Sequence, residues 1–142
     1  MAAILLDTNV VSELMRAAPD GRVLVWFSRQ QAAAFQISAV TRAELLLGIA
    51  LLPQGKRRAS LATAAERMFI EDFGGHCLPF EASAAKEYAV LVAARVRAGQ
   101  PISTEDGQIA AIALANRLAL ATRNSKDFSA ILGLTVLDPW QV

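Results

Sequence analysis

Asp7 closes the apolar run Ala3-Ile-Leu-Leu6. That is the pattern of a buried parallel strand, and its carboxyl end is the edge where open α/β sheets place their sites. Glu44 lies in Ser38-Ala-Val-Thr-Arg-Ala-Glu44-Leu-Leu-Leu-Gly48, where helical spacing gives it a face shared with Val40, Leu47 and Leu51. Asp106, in Thr104-Glu-Asp106-Gly-Gln-Ile-Ala-Ala, shares its helical face with Ile109, Ala110 and Ala113. A carboxylate on an inward face is costly unless it has a hydrogen-bond partner, a proton or a cation. Three that converge are most simply explained by a bound metal ion. Hard oxygen donors with no soft ligands beside them favour Mg²⁺ or Mn²⁺.

Each acid also has a cheaper structural explanation. Asp7, or Asn9, can cap a helix that begins near Val10. Thr41-x-x-Glu44 and Ser103-x-x-Asp106 both spell capping boxes. Ser38 offers a better start for the first of these helices, which leaves Glu44 in the second turn, beyond the orphan amides. Asp106 is expected to serve both as cap and as ligand. Glu13, Glu66, Glu71, Asp72, Glu81 and Glu87 are read as solvated helix surface. Glu105 points about 100° away from Asp106 round a helix and makes a poorer ligand. Asn124 and Asp127 follow a strand-like run and are expected as accessory oxygen donors. Arg42, Arg123 and Lys126 stand beside the proposed cleft as candidates for substrate phosphates, while Lys56-Arg57-Arg58 reads as a solvated helix start. Trp26 and Trp140 read as core or interface rather than as base-stacking platforms.

Other chemistries lack parts. His76 and Cys77 are adjacent, so on extended backbone they face opposite ways and make a poor nucleophile–base pair. A structural zinc site would need more soft ligands than the chain owns. There is no glycine-rich phosphate loop and no G-x-S-x-G turn. Phosphoryl transfer with Asp7 as nucleophile would call for a second acid two residues on, where Asn9 stands.

The elements that must position these acids alternate. Strand-like runs are Ala3–Leu6, Phe35–Ser38, Cys77–Phe80, Ala119–Thr122 and Thr135–Leu137. Helical patterns cover Val10–Met15, Gly21–Gln30, Ala39–Leu51, Arg57–Phe73, Ala82–Ala98, Thr104–Asn116 and Lys126–Leu132. Pro19, Pro53, Gly74-Gly75 and Gly99-Gln-Pro101 punctuate them. The alternation predicts an α/β fold, a parallel sheet of about five strands flanked by helices on both faces. At 142 residues the chain reads as one domain, 1–142. No apolar stretch reaches the ~18 residues of a membrane span, and the amino terminus lacks a signal-like core. A single cysteine excludes an internal disulfide and suits the cytoplasm. A net charge of +1 leaves nucleic-acid binding to local basic surface. The apolar fraction of 54% and mean hydropathy of +0.37 suggest apolar surface buried against another chain.

Ile4-Leu-Leu-Asp7-Thr-Asn-Val-Val-Ser-Glu-Leu14, Ser38-Ala-Val-Thr-Arg-Ala-Glu44, Asp106-x-x-Ile-Ala-Ala111 and Ala121-Thr-Arg-Asn-Ser-Lys-Asp-Phe128 together resemble PIN domains. Within that group they resemble the VapC-type toxins of bacterial type II toxin–antitoxin pairs. The ending Leu137-Asp-Pro-Trp140 is similar to that of the FitB-like branch. The resemblance spans essentially the whole chain in the right order. It implies a Rossmann-like parallel sheet and a Mg²⁺- or Mn²⁺-dependent ribonuclease that leaves 5′-phosphate and 3′-hydroxyl ends. It also implies a homodimer held inactive by a cognate VapB-type antitoxin whose tail covers the acidic cleft. By position, Asp7, Glu44 and Asp106 correspond to the family's metal-site acids. Where the family often has a fourth acid, this chain has Asn124, with Asp127 three residues on. Asp7 and Asp106 are the preferred direct ligands, with Glu44 a ligand or an orienter of the attacking water. Thr8, Asn9, Ser38 and Thr41 are expected to hold the carboxylates from behind. A PIN fold used only for binding is the non-enzymatic alternative.

Overall fold

A computed structural model describes residues 3–30 and 33–141. The elements run β1 (Ala3–Leu6), α1 (Thr8–Leu14), α2 (Gly21–Arg29), β2 (Ala34–Gln36), α3 (Ala39–Ala50), α4 (Lys56–Glu71), α5 (Ala82–Arg97), α6 (Thr104–Ala115), β3 (Ala119–Ala121), α7 (Ser125–Phe128) and β4 (Val136–Leu137). All strand pairs are parallel, in the order β2-β1-β3-β4. β1 is therefore central, with Leu5 opposite Gln36 on one side and Leu120 on the other.

Successive side chains of a strand face opposite sides, and β1 feeds two cores accordingly. Ile4 and Leu6 join Val10, Val11, Val23, Trp26 and Phe69 on the face covered by α1, α2 and α4. Leu5 joins Ile109, Ile112, Leu120 and Phe128 under α5 and α6. Both faces are covered, which is why β1 reads as an unbroken apolar run rather than an alternating one. Each fully buried Leu or Ile contributes roughly 2 kcal/mol, so β1 alone anchors both layers. α6 packs closely on α5 through Gly107, where a Cβ would stand 3.0 Å from Tyr88 Cε2 and 3.1 Å from Val92 Cγ2.

Among the described residues the sheet has four strands, not about five. The segment Cys77–Phe80, expected as a strand, forms a single parallel bridge: Leu78 N–H donates to Ile37 O and Leu78 O accepts from Ala39 N–H, both at 2.8 Å. Pro79 follows at once and has no N–H to continue the ladder. Two assignments of side-chain environment also differ. Leu47 and Leu51, expected inward beside Glu44, are 58% and 75% exposed. Glu13, expected on a solvated surface, is 6% exposed. Its carboxylate accepts from Arg16 Nη1 at 3.0 Å and from the Asp20 N–H at 2.9 Å, so it pins the turn between α1 and α2. Trp26 and Trp140 are both buried, as core residues. Among the described residues no helix is long and apolar enough to cross a membrane.

Candidate active site

The ladder places the first acid. Asp7 N–H donates to Ala121 O at 2.9 Å, so the β1–β3 pairing continues one residue past the strand. There the chain turns into α1, and Asp7 caps that helix as one of its two readings expects. Its Oδ1 accepts from Thr8 N–H at 2.8 Å, which caps the helix. Its Oδ2 accepts from Thr122 Oγ1 at 2.7 Å. Asp7 is only 3% exposed. Burial pushes its pKa from 3.8 up to about 6, against the pull of the Thr122 and Thr8 hydrogen bonds, with repulsion from Asp106 and Glu44 adding to the rise.

Thr122 belongs to the segment Ala121–Phe128 that resembles the family motif, but nothing in that motif marks its hydroxyl as the partner of Asp7. It lies one residue beyond β3 as Asp7 lies one beyond β1, so the register Leu6↔Ala121 makes the two the next facing pair. That register was the available signal. Thr122 is fully buried. With its proton on Asp7, its oxygen accepts from Asn9 Nδ2 at 3.3 Å and Asn124 N–H at 3.1 Å, which uses its whole hydrogen-bonding capacity. Asn9 Oδ1 in turn accepts from Arg123 N–H at 3.2 Å. One hydroxyl thus ties the turn after β1 to the turn after β3.

The second acid arrives on α3. Ser38 Oγ accepts from Thr41 N–H at 3.1 Å and caps this helix, so Thr41 and Glu44 do not form the capping box. Instead Thr8 Oγ1 donates to Glu44 Oε1 at 2.7 Å and lies 3.0 Å from Thr41 Oγ1. Because the Thr8 proton is committed to Glu44, Thr41 is the donor to Thr8. Glu44 is half-buried beside this chain of hydroxyls.

The third acid opens α6. Ser103 Oγ accepts from Asp106 N–H at 3.2 Å as the helix cap. The neighbours Ile109, Ala110 and Ala113 are wholly buried, as expected, and Asp106 itself is half-buried. Burial raises its pKa, a Ser103 side-chain hydrogen bond opposes this, and repulsion from Glu44, Asp127 and Glu105 adds to it. Asp7, Glu44 and Asp106 therefore lie in one mutually repulsive field. Among the described residues no group of three or more His, Cys, Asp or Glu is already arranged to hold a metal ion.

Of the accessory donors, Asp127 contributes to the charge felt by Asp106. Asn124 is the N-cap residue of α7, fixed through its own N–H on Thr122. The basic candidates divide. Arg123 is exposed, its guanidinium 5.0 Å over the Trp140 ring, and Lys126 is exposed on α7. Arg42 sits two residues from Glu44, about 200° away round α3, and stacks over Phe69 of α4 at 4.6 Å.

A groove of about 690 Å³ starts at Thr8 and Glu44. It runs between α1, α3 and α4 over Leu45, Ile49 and Leu61, with Arg16 and Arg57 at its sides. A second cavity of about 630 Å³, between Leu14, Phe27, Phe35 and Met68, contains none of the three acids.

Residues 4–132 match the family model described as PIN domain. The chain is 41% identical over 138 residues to the VapC ribonuclease Y4jK of Sinorhizobium fredii, covering 97% of this chain and 98% of that one. It is 39% identical to the toxin FitB of Neisseria gonorrhoeae over 96% of this chain and 98% of the relative. The crystal structure of FitAcB from Neisseria gonorrhoeae superposes with a TM-score of 0.87 at 38% identity, covering 98% of this chain and 99% of the other.

Proposed function

This chain belongs to the PIN-domain family, and on that premise we propose that it is a Mg²⁺- or Mn²⁺-dependent endoribonuclease, the toxin of a type II toxin–antitoxin pair. The observation that carries the reading is the buried Asp7 carboxylate, held at a pKa of about 6 in one field with Glu44 and Asp106 at the carboxyl edge of a parallel sheet. A relative named a VapC ribonuclease and another named a toxin support it.

The donor set fits a hard dication. It is all oxygen, and Asp7 and Asp106 both have raised pKa values, chiefly from burial, with repulsion from neighbouring acids adding to the rise. Two carboxylates 4 Å apart repel by about 4 kcal/mol at an effective dielectric near 20. Asp7 and Asp106 would hold the ion, with Glu44 beside them and Asp127 or Asn124 as accessory oxygens. When bound, the ion acidifies water and offsets negative charge developing on the phosphate.

The remaining work falls to the chain. The Thr8 N–H and Thr122 hydroxyl grip both Asp7 oxygens, which fixes the carboxylate's plane and makes it a poor nucleophile toward phosphorus. The Thr41–Thr8 hydroxyl pair grips Glu44 Oε1 and leaves Oε2 to accept a proton from the attacking water. Water oxygen bonds to phosphorus, the bond to the 3′-oxygen breaks, the departing 3′-oxygen takes a proton from solvent water, and the products carry a 5′-phosphate and a 3′-hydroxyl. Arg123 and Lys126 supply positive charge to the substrate backbone.

The same reading assigns partners. The apolar groove opening at Thr8 and Glu44 takes a segment of the VapB-type antitoxin, which would cover the acids. A second copy of the chain covers apolar surface such as Val90 and Val96 on α5, 66% and 61% exposed. Residues 1–142 act as one domain, in the cytoplasm, where free Cys77 stays reduced. The test is cleavage of single-stranded RNA by purified, antitoxin-free protein in Mn²⁺. Loss of cleavage in EDTA and in Asp106→Asn is expected. Cleavage that survives both would overturn the assignment.

A further inference from the structure

We propose that Arg95 is a positioning residue for the acidic site, a guanidinium that holds the backbone of α7 at Asp127 against the turn that launches α6. The inference rests on the metal-dependent reading above and deepens it at the same site.

Arg95 lies in the last turn of α5. Its Nε donates to Gln100 O at 2.7 Å and its Nη1 donates to Asp127 O at 2.6 Å, reaching 5 and 32 residues along the chain. A cation near a helix carboxyl end has an ordinary explanation in the helix dipole. That explanation accounts for neither bond to a carbonyl outside the helix. The guanidinium is planar and rigid, so its two bonds set the Gln100 and Asp127 carbonyls at one mutual spacing.

Both clamped carbonyls belong to segments that carry site acids. Gln100 follows Gly99, whose φ of 71° turns the chain out of α5. Pro101 stiffens the next step, and Ser103 then caps α6 at Asp106. Asp127 sits in α7, and α7 is held at its start by Asn124 N–H on Thr122, the residue that also grips Asp7. The Asp127 carboxylate is close enough to act on the charge of Asp106. Arg95 makes its hydrogen bonds to main-chain oxygens and forms no ion pair among the described residues. It therefore sets where Asp127 stands relative to Asp106 without neutralising either.

The test is Mn²⁺ affinity, read by titration calorimetry on the full chain, for the wild type, Arg95→Gln, Asp127→Asn and the double variant. Circular dichroism checks that each is folded. Arg95→Gln is expected to weaken Mn²⁺ binding about tenfold, the scale seen for groups that hold ligands in place. If it acts through Asp127, the double variant binds no more weakly than Asp127→Asn alone. Arg95→Lys keeps the charge but not the two-pronged geometry, and an intermediate affinity is expected. Wild-type affinity in Arg95→Gln or Arg95→Lys overturns the proposal, as do single effects that multiply in the double variant. A wild type that binds no Mn²⁺ removes the metal-dependent reading as well, so the two failures are distinct.

Discussion

Asp7→Asn is expected to make the metal-free protein more stable at neutral pH while abolishing its metal response. Folding raises the Asp7 pKa from 3.8 to about 6, chiefly by burial, so the folded chain holds this proton more tightly than the unfolded chain. Between those two values the folded state binds more protons, and stability falls as pH rises through the window. At 1.36 kcal/mol per pH unit, the loss is about 3 kcal/mol once pH exceeds the folded value. Asparagine carries no charge and caps a helix as well as aspartate does, so its oxygen can keep the Thr8 N–H. Its amide then faces Thr122 Oγ1, which already accepts from Asn9 at 3.3 Å and Asn124 at 3.1 Å. Displacing the longer Asn9 bond and leaving the Thr122 proton without its acceptor cost about 2 kcal/mol together. The net gain is about 1 kcal/mol at pH 7.5 in EDTA, shrinking and then reversing as pH falls below about 5. Urea unfolding followed by fluorescence of the buried Trp26 and Trp140 reads this directly. Mn²⁺ should then stabilise the wild type and leave Asp7→Asn unchanged. A variant less stable than wild type by a constant amount across that pH range would refute the reasoning.

Thr122→Val removes a donor from Asp7 Oδ2 and an acceptor from the Asn124 N–H; RNA cleavage should fall about 10- to 100-fold, and the Asp7 pKa, followed by carboxyl NMR, should rise further. Gly107→Val drives side-chain atoms into Tyr88 and Val92, whose nearest atoms already lie 3.0 and 3.1 Å from a Cβ position. The expected cost is roughly 1–3 kcal/mol in urea unfolding, with weaker Mn²⁺ binding because Asp106 precedes Gly107 in the same turn of α6. An unchanged unfolding midpoint would show that α5 and α6 do not pack as described.

Asp7 and Asp106 were legible in the sequence because each is a polar residue set against a long apolar pattern, and local patterns of that kind map onto strand ends and helix faces. Ser38 was legible as a cap for the same reason. Glu44 does lie beside the turn after β1, bonded to Thr8, but its apolar surroundings differ from expectation. An apolar stripe of Val40, Leu47 and Leu51 looks alike whether it faces a core or a protein partner, and here Leu47 and Leu51 are exposed. Glu13 was misplaced because its burial depends on the Asp20 N–H seven residues on, a contact no helical period encodes. Thr122 depends on strand register, and Arg42 on the neighbouring Phe69 of α4. The four-stranded sheet fell one short of expectation because Pro79 cuts the Leu78 pairing to a single bridge.

The account stands on three carboxylates, one just past β1 and the others on α3 and α6, gathering round one dication. Anomalous diffraction from a crystal soaked in Mn²⁺ tests it most directly. A single strong peak within coordination distance of Asp7 and Asp106, with Glu44 turned toward it, is the predicted result. A Mn²⁺-saturated crystal with no peak between those carboxylates would contradict it.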